Sequence, residues 1–163
     1  MKKAFCILFL VLAAATAPVF AQVRFNAALA VALLPGEDGI GIVPVSGIHY
    51  QIPIKAFRLY AGFRATAIKS GLTTIPNIVA EYSAGPVILE AQLGGGSILS
   101  INPARGIRLE FGALFFPDLS VWYPIDKAKA LRVGGGVVGA LNFSEGNYMV
   151  APYLGVKLVV MTP

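Results

Sequence analysis

Apolar side chains recur at every second position over long stretches of this chain. Between residues 57 and 67 the odd positions are all apolar, whereas the even positions carry arginine, tyrosine, glycine or threonine. Residues 107–116, 131–143 and 148–160 follow the same alternation with small departures. A period of two is that of a β-strand, since a helix would repeat about every 3.6 residues. The sequence therefore predicts an all-β fold whose strands each have one apolar and one polar face.

The first residues have the pattern of an export signal. Lys2 and Lys3 precede an apolar run over residues 4–15, and Ala21 ends a plausible cleavage site. A membrane anchor is the alternative, but the run is too short to span a bilayer. We therefore expect residues 1–21 to be a signal peptide cleaved after Ala21 and residues 22–163 to be one domain. Cys6 is the chain's one cysteine, so the exported domain would lack disulfides, zinc–thiolate sites and cysteine catalysis.

The composition is unusually apolar for an exported domain. Apolar residues make up 56% of the chain and charged residues only 13%, yet nothing after residue 21 approaches the roughly 20 apolar residues of a membrane helix. A closed barrel satisfies all backbone groups in lipid, and this favours a membrane barrel with apolar residues outside. A soluble periplasmic, lipocalin-like barrel that binds an apolar ligand inside is the alternative. Without Lys2 and Lys3 the net charge falls from +5 to +3, which is too small and too scattered for a nucleic-acid surface.

Turn residues divide the domain into short segments. Nine turn signals predict ten strands, but the segments 97–102 and 119–125 are short for spanning strands. The predicted turns include residues 94–96 and 117–118, and dropping or merging a pair of strands would give eight. The fold class that we predict is an antiparallel up-and-down transmembrane β-barrel of 8 to 10 strands.

An export signal followed by one domain of alternating strands and tight turns resembles the small bacterial outer-membrane barrels of the OmpA and OmpX kind. The resemblance covers residues 22–163 and rests on pattern and size. It implies a location in the bacterial outer membrane with both chain ends in the periplasm. It also implies a monomer that contacts outer-membrane lipid and the barrel-assembly machinery, with a structural or interaction role or a narrow, porin-like passive channel.

No constellation typical of an enzyme is present. The single histidine, His49, is expected near the periplasmic end, and its neighbours Tyr50 and Gln51 do not form a nucleophile and base with it. No residues have metal-ligand spacing either. We therefore predict a non-enzymatic protein with no catalytic residues, no metal and no cofactor.

Charged residues on the polar faces predict an ionic cluster in the lumen. A two-residue turn at Gly85 and Pro86 would place Glu81 directly opposite Glu90, where two carboxylates repel. Either one of them is protonated, which could serve proton transfer, or arginines bridge them, as we expect because Arg58 and Arg108 lie on nearby strands. The cluster would plug the lumen and make the protein a poor pore, and its predicted members are Arg58, Glu81, Glu90, Arg108, Glu110, Arg132 and Lys157.

Strand directions follow if upward strands begin at residues 23, 56, 87, 106 and 130. Acidic loops containing Glu37 and Asp38, Asp118 and Glu145 would then lie outside the cell. Basic turns with Lys55, Arg105, Lys127 and Lys129 would lie in the periplasm.

Overall fold

Eight antiparallel strands form a closed barrel in the computed structural model, which describes residues 22–33, 39–52, 54, 57–68, 71–102 and 106–162. The predicted signal peptide lies outside the described residues. The strands are β1 (Val23–Leu33), β2 (Ile40–Ile52), β3 (Arg58–Ile68), β4 (Gly71–Ala84), β5 (Val87–Asn102), β6 (Gly106–Pro124), β7 (Leu131–Asn142) and β8 (Asn147–Met161). The predicted fold class is confirmed, with a strand count of eight. The described residues include no helix long and apolar enough to cross a membrane.

Pairing between the first and last strands closes the barrel. β1 and β8 are antiparallel, with Ala28 opposite Lys157 in the register. Beyond the end of β8, the Thr162 backbone N–H donates to the Val23 carbonyl at 2.9 Å, and the Val23 N–H donates to Thr162 Oγ1 at 3.1 Å. No edge is therefore left free along the paired length of this seam.

Two of the predicted turns lie inside strands. Residues 94–96 belong to β5, where the register with β6 shifts between Gly95 and Ser97. Gly95 and Gly96 have φ values of +128° and +75°, and a Cβ at Gly95 would collide with the carbonyl oxygen of Leu114. These glycines therefore form a bulge that resembles a turn in sequence.

The predicted turn at residues 117–118 belongs to β6. Pro117 lies where the pairing of β6 with β7 is interrupted, between Phe115 and Asp118. A proline has no N–H to donate to a neighbouring strand, and this position tolerates that loss. Because residues 106–124 form one strand, residues 106–113 run opposite to the expected direction. Asp118 lies within the barrel wall and not in the outer loop that was predicted.

Side chains sort by polarity between the two surfaces of the barrel wall. Large apolar residues point outward, including Leu154 and Leu119 with exposed fractions of 72% and 67%. Charged residues are buried inside, among them Arg24, Glu81 and Glu90. A soluble carrier of an apolar ligand would need the opposite arrangement, so the outward apolar face contradicts the lipocalin-like alternative.

The two ends of the barrel differ. Val23 and Met161 lie at one end, here called the terminal end, together with the β4–β5 turn and the β6–β7 turn that carries Lys127 and Lys129. The opposite end, the far end, carries the β7–β8 turn with Glu145. Glu37, Asp38, Lys55 and Arg105 lie outside the described residues.

β5 and β6 continue past their bulge toward the far end. Residues 97–102 and 106–113 form this extension, here called the arm. The described pairing of β6 with β7 begins at Leu114, so in the described part of the chain the arm has an unpaired β6 edge.

Candidate functional site

Two carboxylates face each other inside the terminal half of the barrel. Glu81 on β4 pairs directly with Glu90 on β5 across the Gly85–Pro86 turn, as the sequence predicts. Both residues are buried, with exposed fractions of 3% and 2%. Like charges in this position destabilise a sheet unless other groups compensate them.

Three basic side chains compensate these carboxylates. Arg24 on β1 bridges them, since its Nη2 lies 2.8 Å from Glu81 Oε1 and 2.8 Å from Glu90 Oε2. Arg132 Nη1 on β7 contacts Glu81 Oε1 at 2.6 Å, and Lys157 Nζ on β8 contacts Glu90 Oε1. We call Arg24, Glu81, Glu90, Arg132 and Lys157 the ionic cluster. The sequence left two arrangements open, a protonated carboxylate or bridging by cations. These contacts are those of bridging.

The structure brings four of the seven predicted residues into this cluster: Glu81, Glu90, Arg132 and Lys157. The prediction was wrong for the other three. Arg58 is opposite Glu81 in the register but is exposed at the start of β3. Arg108 and Glu110 are exposed on the arm, because the merged β6 runs from the far end and begins there.

Arg24 is the member that sequence reasoning missed as a donor. It lies on β1, and its carboxylate partners lie on β4 and β5, so only the closure of the barrel brings them together. Its position on the polar face of β1 is the one signal that points to the lumen.

Aromatic rings pack against two of the cations. Arg24 Cζ lies 4.7 Å from the centre of the Tyr60 ring, and Lys157 Nζ lies 4.2 Å from the Trp122 ring. Such contacts stabilise a cation that has left water. Trp122 has Gly134 opposite it on β7, and a Cβ there would lie 2.9 Å from Trp122 Cα. A glycine opposite a large residue thus lets this narrow interior fill completely.

A second polar layer lies farther from the terminal end. Arg64 Nη1 contacts Asp118 Oδ2 at 3.3 Å, and the Tyr153 hydroxyl donates to Asp118 Oδ1 at 2.8 Å. We call these three residues the Asp118 layer. Gln92 Nε2 donates to Glu90 Oε1 at 2.6 Å, and Asn77 Nδ2 donates to Gln92 Oε1 at 3.0 Å. Polar contacts therefore fill the middle of the lumen as well.

His49 is fully buried inside the terminal half, opposite Arg24 on β1 and Gly62 on β3. Neither of its ring nitrogens has a hydrogen-bond partner in the described structure. Among the described residues no group of three His, Cys, Asp or Glu side chains could hold a metal ion.

Beyond the Asp118 layer the lumen contains a cavity of about 290 Å³. We call it the far-half cavity. Small apolar residues from β1, β2 and β8 form much of its wall, with Ala28, Ala30 and Ala151 among them. Arg64, Asp118 and Trp122 also line it. The two halves of the interior thus differ, one filled with charge and the other lined mainly by small side chains.

No protein-family model matches the sequence, and no curated protein matches it. Solved structures do match the fold. The N-terminal β-barrel domain of Pseudomonas aeruginosa OprF aligns with a TM-score of 0.51 at 10% identity, covering 85% of this chain and 97% of that one. The chain has the fold of a small outer-membrane β-barrel.

Two further solved structures align with this chain at lower scores. Neisserial surface protein A aligns with a TM-score of 0.48 at 13% identity, covering 86% of this chain and 96% of that one. The outer membrane enzyme PagL aligns with a TM-score of 0.45 at 13% identity, covering 84% of this chain and 98% of that one.

Proposed function

We propose that this chain is an integral protein of the bacterial outer membrane, a non-enzymatic barrel with a structural role whose lumen is sealed to ions. The observation that carries the proposal is the ionic cluster. Arg24, Arg132 and Lys157 reach across the terminal half from three strands to two carboxylates, and no member is more than 3% exposed.

The outer surface supports a place in a membrane. Apolar side chains cover it, and the shortest strands have 11 residues, which matches the roughly 9–11 residues of a tilted strand that spans a bilayer. Backbone pairing all the way round leaves no barrel edge to meet lipid. By the resemblance to small barrels, the terminal end faces the periplasm and the far end faces outward. Lys127 and Lys129 then lie in the periplasm and Glu145 outside, whereas Asp118 lies inside the membrane.

The seal follows from the packing of the charges. Arg24, Tyr60 and Trp122 are among the largest fully buried side chains, and they occupy the same half of the lumen as the ion pairs. An ion that crosses this half would have to separate pairs of opposite charge in a region without bulk water. Breaking one buried pair costs on the order of 3–5 kcal/mol, and crossing would disturb several pairs at once.

Conductance of the purified protein in planar lipid bilayers tests this proposal. We expect no stable single-channel current at neutral pH. Arg24→Ser removes the side chain that bridges both carboxylates, and we expect it to conduct ions through the opened lumen. Arg58→Ser is the matched control, since Arg58 lies at the same end but is exposed, and it should remain silent.

Folding of each variant is checked by the mobility shift that folded barrels show on gels without heating. A steady unitary current from the parent protein would contradict the sealed lumen. Silence of a folded Arg24→Ser variant would show that the ionic cluster does not form the barrier.

A further inference from the structure

The far-half cavity is unusual for the interior of a membrane barrel. Such interiors are commonly polar and are either filled by side chains or open to water. Here just over half of the lining residues are alanine, valine, threonine or isoleucine, and the charged ones are Arg64, Asp118 and Lys157. An apolar cavity does not hold water well, and it is available to an apolar molecule.

The volume limits the size of that molecule. A cavity of about 150 Å³ is enough to bind benzene, so the 290 Å³ of the far-half cavity suits a molecule about twice that size. A chain of about ten non-hydrogen atoms meets this limit. The terminal half below is filled, so the site ends blindly and does not lead through the membrane.

Charge at the floor of the cavity indicates the polar group of the ligand. Among the described residues four basic side chains face the lumen, and three carboxylates oppose them. The basic residues are Arg24, Arg64, Arg132 and Lys157, and the carboxylates are Glu81, Glu90 and Asp118. The ionic cluster has three cations for two carboxylates, whereas Arg64 and Asp118 pair one to one, so these lumen residues together carry a net charge of one positive unit, which favours an anion.

Arg64 is the lumen cation most accessible to a ligand, since Lys157 also lines the cavity but is held by Glu90. Its contact with Asp118, at 3.3 Å, is the longest of the ion pairs described inside the barrel. Asp118 also accepts a hydrogen bond from the Tyr153 hydroxyl, so its carboxylate is divided between two partners. The Arg64 side chain is 16% exposed, whereas the three other cations are at most 3% exposed, and Arg64 lines the cavity directly.

We propose that the far-half cavity binds a small apolar monocarboxylate, such as a medium-chain fatty acid, with its carboxylate on Arg64 and its chain along the alanines of β1 and β8. This inference goes beyond the sealed barrel, because it assigns a ligand site to the outer half of the interior. An arginine matches a carboxylate in both charge and geometry, and the small side chains leave space for the apolar part.

Tryptophan fluorescence offers a direct test, because Trp122 is the chain's one tryptophan and lines the cavity. The probe is octanoate with bromine on the carbon beside the carboxylate, since bromine quenches a nearby indole and this carbon would lie at the floor of the cavity. With the protein in detergent-free lipid vesicles we expect quenching that saturates and that unlabelled octanoate reverses. Quenching that rises without saturation, as expected for a probe dissolved in the bilayer, would overturn the proposal.

Two variants connect the signal to the site. Ala28→Leu fills part of the cavity and should abolish saturable quenching, whereas Ala27→Leu, on the outward face of the same strand, should not change it. Arg64→Gln should weaken binding of the carboxylate about tenfold, as expected when one charged hydrogen bond is lost. The brominated alcohol of the same length should bind parent and Arg64→Gln alike. Equal quenching in parent and Ala28→Leu, or an unchanged carboxylate affinity in Arg64→Gln, would overturn the assignment.

Discussion

At the scale of single residues, the burial of Glu90 depends on its basic partners. Arg24 and Lys157 both contact its carboxylate, and Gln92 donates a further hydrogen bond. Glu90→Ala would leave these buried cations with too little negative charge. We expect the free energy of unfolding to fall by on the order of 3–5 kcal/mol, measured by urea unfolding in lipid vesicles.

Glu110→Ala is the control for this measurement. Glu110 is exposed on the arm, and surface substitutions usually change stability by no more than about 0.5 kcal/mol. Equal stability of Glu90→Ala and the parent protein would show that the ionic cluster contributes nothing to the fold.

Gly62 allows β3 to pass close to His49. A Cβ at this position would collide with the carbonyl oxygen of Ile48 and come within 2.6 Å of His49 Cα. Because these are backbone atoms, they cannot move without disturbing the β2–β3 pairing. Gly62→Ala should therefore destabilise the barrel by about 1–3 kcal/mol, the usual cost of overpacking, as measured by thermal unfolding.

Gly112→Ala provides the comparison, because a Cβ there would meet nothing within 4 Å. We expect its unfolding temperature to match that of the parent. If both glycine variants lose stability equally, the close approach at Gly62 is not the cause.

Some residue contacts could be predicted from sequence and others could not. The Glu81–Glu90 pair followed from a two-residue turn, which fixes the register of its neighbours locally. The role of Arg24 did not follow, because its partners are on strands that lie far from it in sequence. Arg64 and Asp118 were missed for a similar reason, and the proline before Asp118 also indicated a loop.

At the scale of the strands, the alternation of apolar and polar residues predicted the outer and inner faces of the barrel wall, but not the exposure of Arg58, Arg108 and Glu110. Where glycine and proline interrupt strands, they led to wrong predictions of turns. Gly95 and Gly96 form a bulge within β5, and Pro117 occupies a gap in the β6–β7 pairing. The local preferences of these residues are the same in a bulge and in a turn, and only the pairing partners distinguish the two.

The arm leads to a prediction about backbone protection. Residues 107–111 of β6 have a described partner strand on one side only, whereas residues 118–122 lie between β5 and β7. We expect the amides of residues 107–111 to exchange with deuterium much faster on average than those of residues 118–122, because about half of them have no strand partner.

Hydrogen exchange in lipid vesicles, followed residue by residue, measures this difference. The comparison within one strand serves as its own control for the environment of the barrel. Equal protection of the two segments would mean that another segment or molecule pairs with the arm.

At the scale of the whole molecule, the sequence predicted an apolar exterior and a charged interior, which together distinguish a membrane barrel from a soluble one. It did not predict that the interior has two unlike halves. That division depends on which inward residues lie at the same height along the barrel axis. The register of all eight strands together sets these heights. Ala28 and Lys157 illustrate this, since they are opposite each other only across the seam.

The seam between β1 and β8 also bears on how the barrel assembles. The first and last strands must pair although nearly the whole chain separates them in sequence. Such distant pairing is slow compared with the formation of hairpins. Arg24 lies on one side of the seam and Lys157 on the other, and both contact Glu90 on β5. Before the barrel closes these contacts are incomplete, so we expect half-closed intermediates to have unbalanced charges beside lipid. We therefore expect closure and charge pairing to occur together, which would make the last step of assembly cooperative.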